Sequence, residues 1–262
     1  MKPSPVASAR PLAEVGPPAW RSSVNRLLGR AAEDWGWSKN AMVGVFLLPF
    51  FIAILGVALA LIGKDAFKLL VSEDQIGENL QVVLWVVTFV LCLAVMRDVW
   101  RQGRNLIALL YLLLCVGIVF LVGEEISWGQ RLFGWETAQW MKEINRQDEN
   151  TLHNIDGVQI AFKWAHLLIG AYGLFLPLLL LRPRAPKSYR EIGAFLVPHF
   201  ILIPYFAFDF FWRLHANFWT PPRKYRFFLS EYAEVIELIL AVGFLLFMIH
   251  QLRRRTPRVD SL

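Results

Sequence analysis

Six apolar runs, each about as long as a hydrocarbon layer is thick, constrain this chain more than anything else in its sequence. They cover roughly Ala41–Ile62, Leu80–Met96, Leu106–Val122, Val158–Leu181, Ile192–Trp212 and Tyr232–His250. A helix of about 20 apolar residues crosses a layer roughly 30 Å thick. Its backbone polar groups are then satisfied internally, as lipid demands. The composition agrees, with 56% hydrophobic and 18% charged residues, which excludes an ordinary soluble domain. The predicted fold is all-α: a polytopic six-helix transmembrane bundle over 41–250. Pro198 and Pro204 fall inside the fifth run and are expected to kink it.

The flanks are different in kind. Residues 1–18 are rich in Pro, Ala and Ser, and no apolar signal core follows Lys2, so an uncleaved disordered tail is expected. From Trp20 to Trp35 the apolar residues fall at helical intervals among arginines, which predicts an interfacial amphipathic helix within the tail domain 1–40. Residues 251–262 form a short basic tail. Orientation follows from Lys and Arg. With the N-terminus inside, the inner segments hold 17 basic residues and the outer loops 9. That bias predicts cytoplasmic N- and C-termini and an even number of spans. The basic residues flank spans and form no soluble basic domain, so nucleic acid is not an expected partner. Cys92 and Cys115 lie inside apolar runs and are read as small hydrophobes.

This topology gathers the polar residues at one face. The densest polar stretch, 123–157, joins spans three and four as an outer loop. Glu124 and Glu125 end span three, and His153 and Asn154 precede span four. Asp209, Arg213 and His215 close span five, while Glu231, Glu234 and Glu237 open span six. Carboxylates inside an apolar span are costly unless paired, protonated or ligated. Asp209 and Arg213 stand one helical turn apart and are expected either to pair or to let Arg213 neutralise a glutamate. Glu124, Glu125 and Asp209 are the candidate catalytic carboxylates. His153, His215, Glu231 and Glu234 are the candidate ligands for a divalent metal such as Zn or Mg, which would polarise an oxygen or activate water. Ser127, Gln130, Arg131, Asn154, Arg213 and Glu237 are candidates for binding substrate or supporting the site. His166 and His199, within spans, and His250, expected at the interface, are left out. Phe133, Trp135 and Trp140 suggest that the outer loop lies flat at headgroup depth.

The wording GEEISWGQRLFGWET followed by ENTLHN, over about 123–154, resembles the signature of an uncharacterised family of bacterial multi-span membrane proteins. That resemblance implies a bacterial inner membrane and no particular activity. Ser127, His153 and Asp209 also echo residue types of the alkaline-ceramidase-like membrane hydrolases, which cleave lipid amides with a histidine-held metal in a seven-helix bundle. The chain lacks their His-x-x-x-His pair. Three functions compete on this footing. The first is a metal-dependent membrane hydrolase or transferase acting on a lipid or lipid-linked substrate at the outer leaflet. The others are a proton- or cation-coupled transporter and a non-catalytic assembly partner.

Overall fold

The computed structural model describes residues 19–72, 75–145, 150–152, 155, 157–182, 186–220 and 222–254. Within these the chain is helical, with α1 Ala19–Trp35, α2 Lys39–Ile62, α3 Lys64–Val71, α4 Ile76–Arg101 and α5 Asn105–Glu125. Then come α6 Gln130–Phe133, α7 Gln139–Ile144, α8 Val158–Leu180, α9 Lys187–Leu196, α10 Ile203–Phe218 and α11 Arg226–Arg253. Five segments are long and apolar enough to cross a membrane: α2, α3 with α4, α5, α8, and α11 with the turn before it.

The expected fifth span is corrected. Ile192–Trp212 is not one helix; α9 stops at Leu196 and α10 begins at Ile203. Two prolines explain the break. A residue before proline is pushed out of the helical region, and Val197, before Pro198, is extended at φ −103°, ψ 131°. Pro204 sits in the first turn of α10, where its missing N–H is no loss. The helical register therefore restarts, and the apolar segment shifts toward Phe218. With 16 residues, α10 is about 24 Å long.

The core is built on α11, which is buried almost continuously from Val235 to Gln251. Its neighbours are α2, α4 and α10, with α5 packed on α4 and α8 on α10. Cross-helix contacts give the directions. Arg213 meets Glu237 while Tyr205 packs on Gly243, so α10 and α11 are antiparallel. Gln81 bonds Glu125 and Cys92 bonds the Tyr111 carbonyl, which makes α4 and α5 antiparallel. On α2, the Val45 and Ala53 carbonyls accept from the hydroxyls of Tyr205 and Tyr232, at 2.7 and 2.6 Å.

Helices α8 and α10 approach unusually closely. A Cβ on Gly173 would lie 2.0 Å from the Phe206 ring, and one on Gly170 would lie 2.6 Å from the Phe210 backbone nitrogen. Small residues at a membrane helix contact permit this spacing. By contrast, α5 and α8 touch at their α3-side ends, where Phe120 stacks on Phe162 with ring centroids 5.8 Å apart. Toward the α1 end they part around an apolar cleft of about 440 Å³. Leu110, Leu114, Leu168, Tyr172, Phe244 and Phe247 are among its lining residues.

Candidate functional site: a buried ion network at the α3 end

The polar groups predicted to converge come from both sides of α11, and the last turn of α5 anchors one part of them. Glu124 is 4% exposed. Its carboxylate accepts from the Trp128 indole N–H at 2.6 Å and from the Leu152 backbone N–H at 2.8 Å. Gly123 lets the Trp128 ring lie against the helix end, since a Cβ there would be 3.1 Å from the indole. The chain reverses through Ser127, Trp128 and Gly129 at φ 47°, 52° and 88°. Positive φ costs the two non-glycine residues, and the Glu124 bonds offset that cost. Glu124 thus fastens the loop to the bundle at both acceptor oxygens.

The rest of the loop is a hydrogen-bonded mesh. Gln130 donates to Thr137 Oγ1 and accepts from the Asn150 N–H, both at 2.8 Å. Ser127 is fully buried. The backbone of Arg131 lies in α6, but its side chain is outside the described residues, as are His153, Asn154 and Asp156. Gln130 holds the loop's shape in this arrangement.

Glu125 turns instead toward α4, where it accepts from Gln81 Nε2 at 3.0 Å. Gln81 is 2% exposed. Across α11, Glu234 lies within electrostatic reach of Glu237, Glu125, Glu78 and Arg213. The second part of the network centres on Asp209, whose side chain is wholly buried. Its Oδ1 lies 3.3 Å from His166 Nδ1 on α8 and 3.6 Å from Arg213 Nε. Arg213 also donates from its Nη2 to Glu237 Oε1. The 3.6 Å contact is an ion pair but too long for a hydrogen bond. Accordingly, Asp209 Oδ2 and Arg213 Nε have no hydrogen-bond partner among the described residues. Both expectations for Arg213 are met together: it pairs with Asp209 and neutralises a glutamate.

His166 was passed over in the sequence, and it is the residue that changes the chemistry of this centre. A histidine in an apolar span is itself a functional signal, yet its partner sits 43 positions away. With Nδ1–H donating to Asp209 Oδ1, Nε2 is left as the basic ring nitrogen. An imidazole oriented by a buried carboxylate can take a proton from water or a hydroxyl and return it to a leaving group.

No family model, curated protein or solved structure matches the chain.

The proposed metal ligands are not assembled among the described residues. No group of three or more His, Cys, Asp or Glu side chains there could hold a metal ion. His215 is exposed, and its ring packs by Trp219 and Trp212 at centroid distances of 4.6 and 6.1 Å. Glu231 is half-buried at the entrance of α11. His250, near the end of α11, is 3% exposed and stacks on Trp35, with centroids 4.8 Å apart. Contacts from α1 and the His199 segment cover it, and helical phase along α11 cannot reveal such distant partners.

Proposed function

We propose that this protein is an inner-membrane enzyme, a hydrolase or transferase acting on a lipid or lipid-linked substrate from the outer leaflet. The observation that carries this proposal is the His166–Asp209 pair, set inside the apolar layer and joined to Arg213 and Glu237. In the reaction, His166 Nε2 accepts a proton from the attacking water or hydroxyl. Asp209 stabilises the resulting imidazolium, which then returns the proton to the leaving group. Arg213 holds the two carboxylates together. Glu124 serves as the loop anchor, and Glu125 and Glu234 supply the acidic wall facing it. These roles rest on side chains alone; of the expected ligands for Zn or Mg, His153 lies outside the described residues.

A lipid substrate is favoured by the cleft between α5 and α8. On α5, Leu114 of the cleft and Glu125 are eleven residues apart, so they share a face about 16 Å along the helix. On α11, Phe244 and Glu237 are seven apart and share a face over about 10 Å. An acyl chain in the cleft would be aligned with the ion network. Coupled transport is less well supported, because α11 between Glu237 and His250 buries Leu238, Ile239, Leu240, Ala241, Phe244, Phe247 and Met248. That stretch is about 20 Å of apolar packing.

The topology proposed with this function has six crossings and both termini cytoplasmic, with α10 as the short fifth crossing. The antiparallel packing of α10 on α11 and the excess of inner Lys and Arg support it. The exposed Phe133, Trp135 and Trp140 support an outer loop resting on the membrane. The test is product analysis by mass spectrometry after reconstitution in phosphatidylethanolamine and phosphatidylglycerol vesicles. His166→Asn and Asp209→Asn should each lower turnover by roughly 10²–10⁴-fold. Unchanged product formation in both variants, or none from the wild type, would overturn the proposal.

A further inference from the structure

At the opposite end of α11 lies a second polar centre, separate from the proposed reaction and assembled from four parts of the chain. Its cavity of about 190 Å³ is bounded by α1, the end of α8, the break between α9 and α10, and the end of α11. Arg30, Asp34, His250 and Arg254 give it polar lining, and Pro177 and Leu181 are part of its apolar wall. His199 donates from Nε2–H to Asp34 Oδ2 at 3.1 Å, since its Nδ1 accepts from the Ile201 N–H. Asp34 therefore already has a donor, while the two guanidinium groups leave the lining with a cationic excess. Arg254 also donates to the Ala194 carbonyl at 2.7 Å, which ties its side chain to α9.

His250 points to a ligand. It is 3% exposed and lines the cavity, yet neither ring nitrogen has a hydrogen-bond partner among the described residues. An imidazole held in that state, stacked on Trp35, carries the desolvation cost of an unmet donor. Its position beside two arginines suits an oxyanion. Guanidinium forks match phosphate oxygens in pairs, and 190 Å³ equals about six waters at their liquid volume. The apolar side adjoins α8, whose Leu178 and Leu179 are 44% and 45% exposed. Acyl chains can follow that surface while a phosphate enters the cavity.

We infer that this cavity binds the phosphate of an anionic phospholipid, with Arg30 and Arg254 pairing its oxygens and His250 donating to it. Phosphate is the shared chemistry, and a membrane lipid is its source because the cavity joins a basic lining to a lipid-facing helix.

The test uses full-length protein in phosphatidylcholine nanodiscs doped with phosphatidylglycerol, read by native mass spectrometry and by Trp35-sensitive fluorescence. The wild type should retain one phosphatidylglycerol saturably, in preference to phosphatidylcholine. Arg30→Gln/Arg254→Gln should weaken that retention at least tenfold. His250→Phe, which keeps a ring on Trp35 and removes both nitrogens, should weaken it severalfold. Equal retention of the two lipids by the wild type would overturn the inference, whatever the variants do. An unsaturable preference unchanged in the variants would overturn it too, as would saturation by millimolar inorganic phosphate in discs lacking phosphatidylglycerol with no added effect of the lipid.

Discussion

Replacing Arg213 with alanine offers a direct measure of what the ion network contributes. The guanidinium lies between Asp209, at 3.6 Å, and Glu237, and the three side chains are 10%, 0% and 22% exposed. Coulomb's law at an effective dielectric constant of 20 gives about 4 kcal/mol for a pair near this distance. Forming the pair also carries a desolvation cost, so most of that figure is not net stabilisation. The cost remains when one partner is deleted. Arg213→Ala would leave two carboxylates in a shared apolar layer, a change that costs about 3–5 kcal/mol in comparable buried pairs. At roughly 2–4 °C per kcal/mol for a chain of this size, the melting midpoint should fall by about 6–20 °C.

The assay is thermal unfolding in detergent, followed by tryptophan fluorescence for Arg213→Ala and for Asp209→Asn/Arg213→Met/Glu237→Gln. The triple variant keeps the volumes and removes every charge, so it should melt well above Arg213→Ala and near the wild type. If Arg213→Ala melts within about 2 °C of the wild type, the pair is effectively solvated and no buried network exists. If the triple variant is as unstable as the single one, packing of the arginine stem outweighs charge, and the electrostatic account is wrong.

Two further perturbations test the supporting structure. Gly173→Val would place a side chain where even a Cβ meets the Phe206 ring at 2.0 Å; overpacking of this kind costs about 1–3 kcal/mol. It should lower turnover along with stability, by parting His166 from Asp209, and wild-type turnover in the variant would show that the helix spacing does not position the pair. Near α1, the hydrogen bond from His199 holds the Asp34 carboxyl below its ordinary value of 3.8. A depressed acid contributes stability above its unfolded value and loses it as pH falls through the folded one. The wild type should therefore exceed Asp34→Asn in α1 docking, followed by Trp35 fluorescence, at neutral pH, and that advantage should decline progressively as pH falls below the ordinary value of 3.8. An advantage that shows no dependence on pH across the acid range would refute the carboxylate's role.

Legibility of the sequence followed the range of each interaction. Helices α2, α4, α5, α8 and α11 were visible because each apolar run is a local property of consecutive residues. The fifth apolar run reads as one span because apolar residues lie on both sides of Val197–His199, while the helical backbone breaks there. Pro198 and Pro204 are both legible and predict a kink, but the two together, six residues apart, restart the helix instead of bending it. The acidic cluster was legible from topology plus helical phase, and Asp209 with Arg213 from their spacing of four. His166 with Asp209 and His199 with Asp34 were not, being 43 and 165 positions apart. No period along one helix encodes such partners; only the pairing of helices does.

The different fates of Glu124 and Glu125 show how that pairing divides function between adjacent residues of the same type. Successive residues on a helix point about 100° apart, so one carboxylate at the end of α5 must serve the loop when the other serves the bundle. Glu124 takes the loop, with the Trp128 indole and the Leu152 amide on its two oxygens. Glu125 takes the α4 side, with Gln81. The strained Ser127–Trp128 turn follows the pair after Ile126, and Glu124 holds it through the Trp128 indole. A perturbation at Glu124 should therefore be felt in the loop before the ion network, and one at Glu125 in the reverse order.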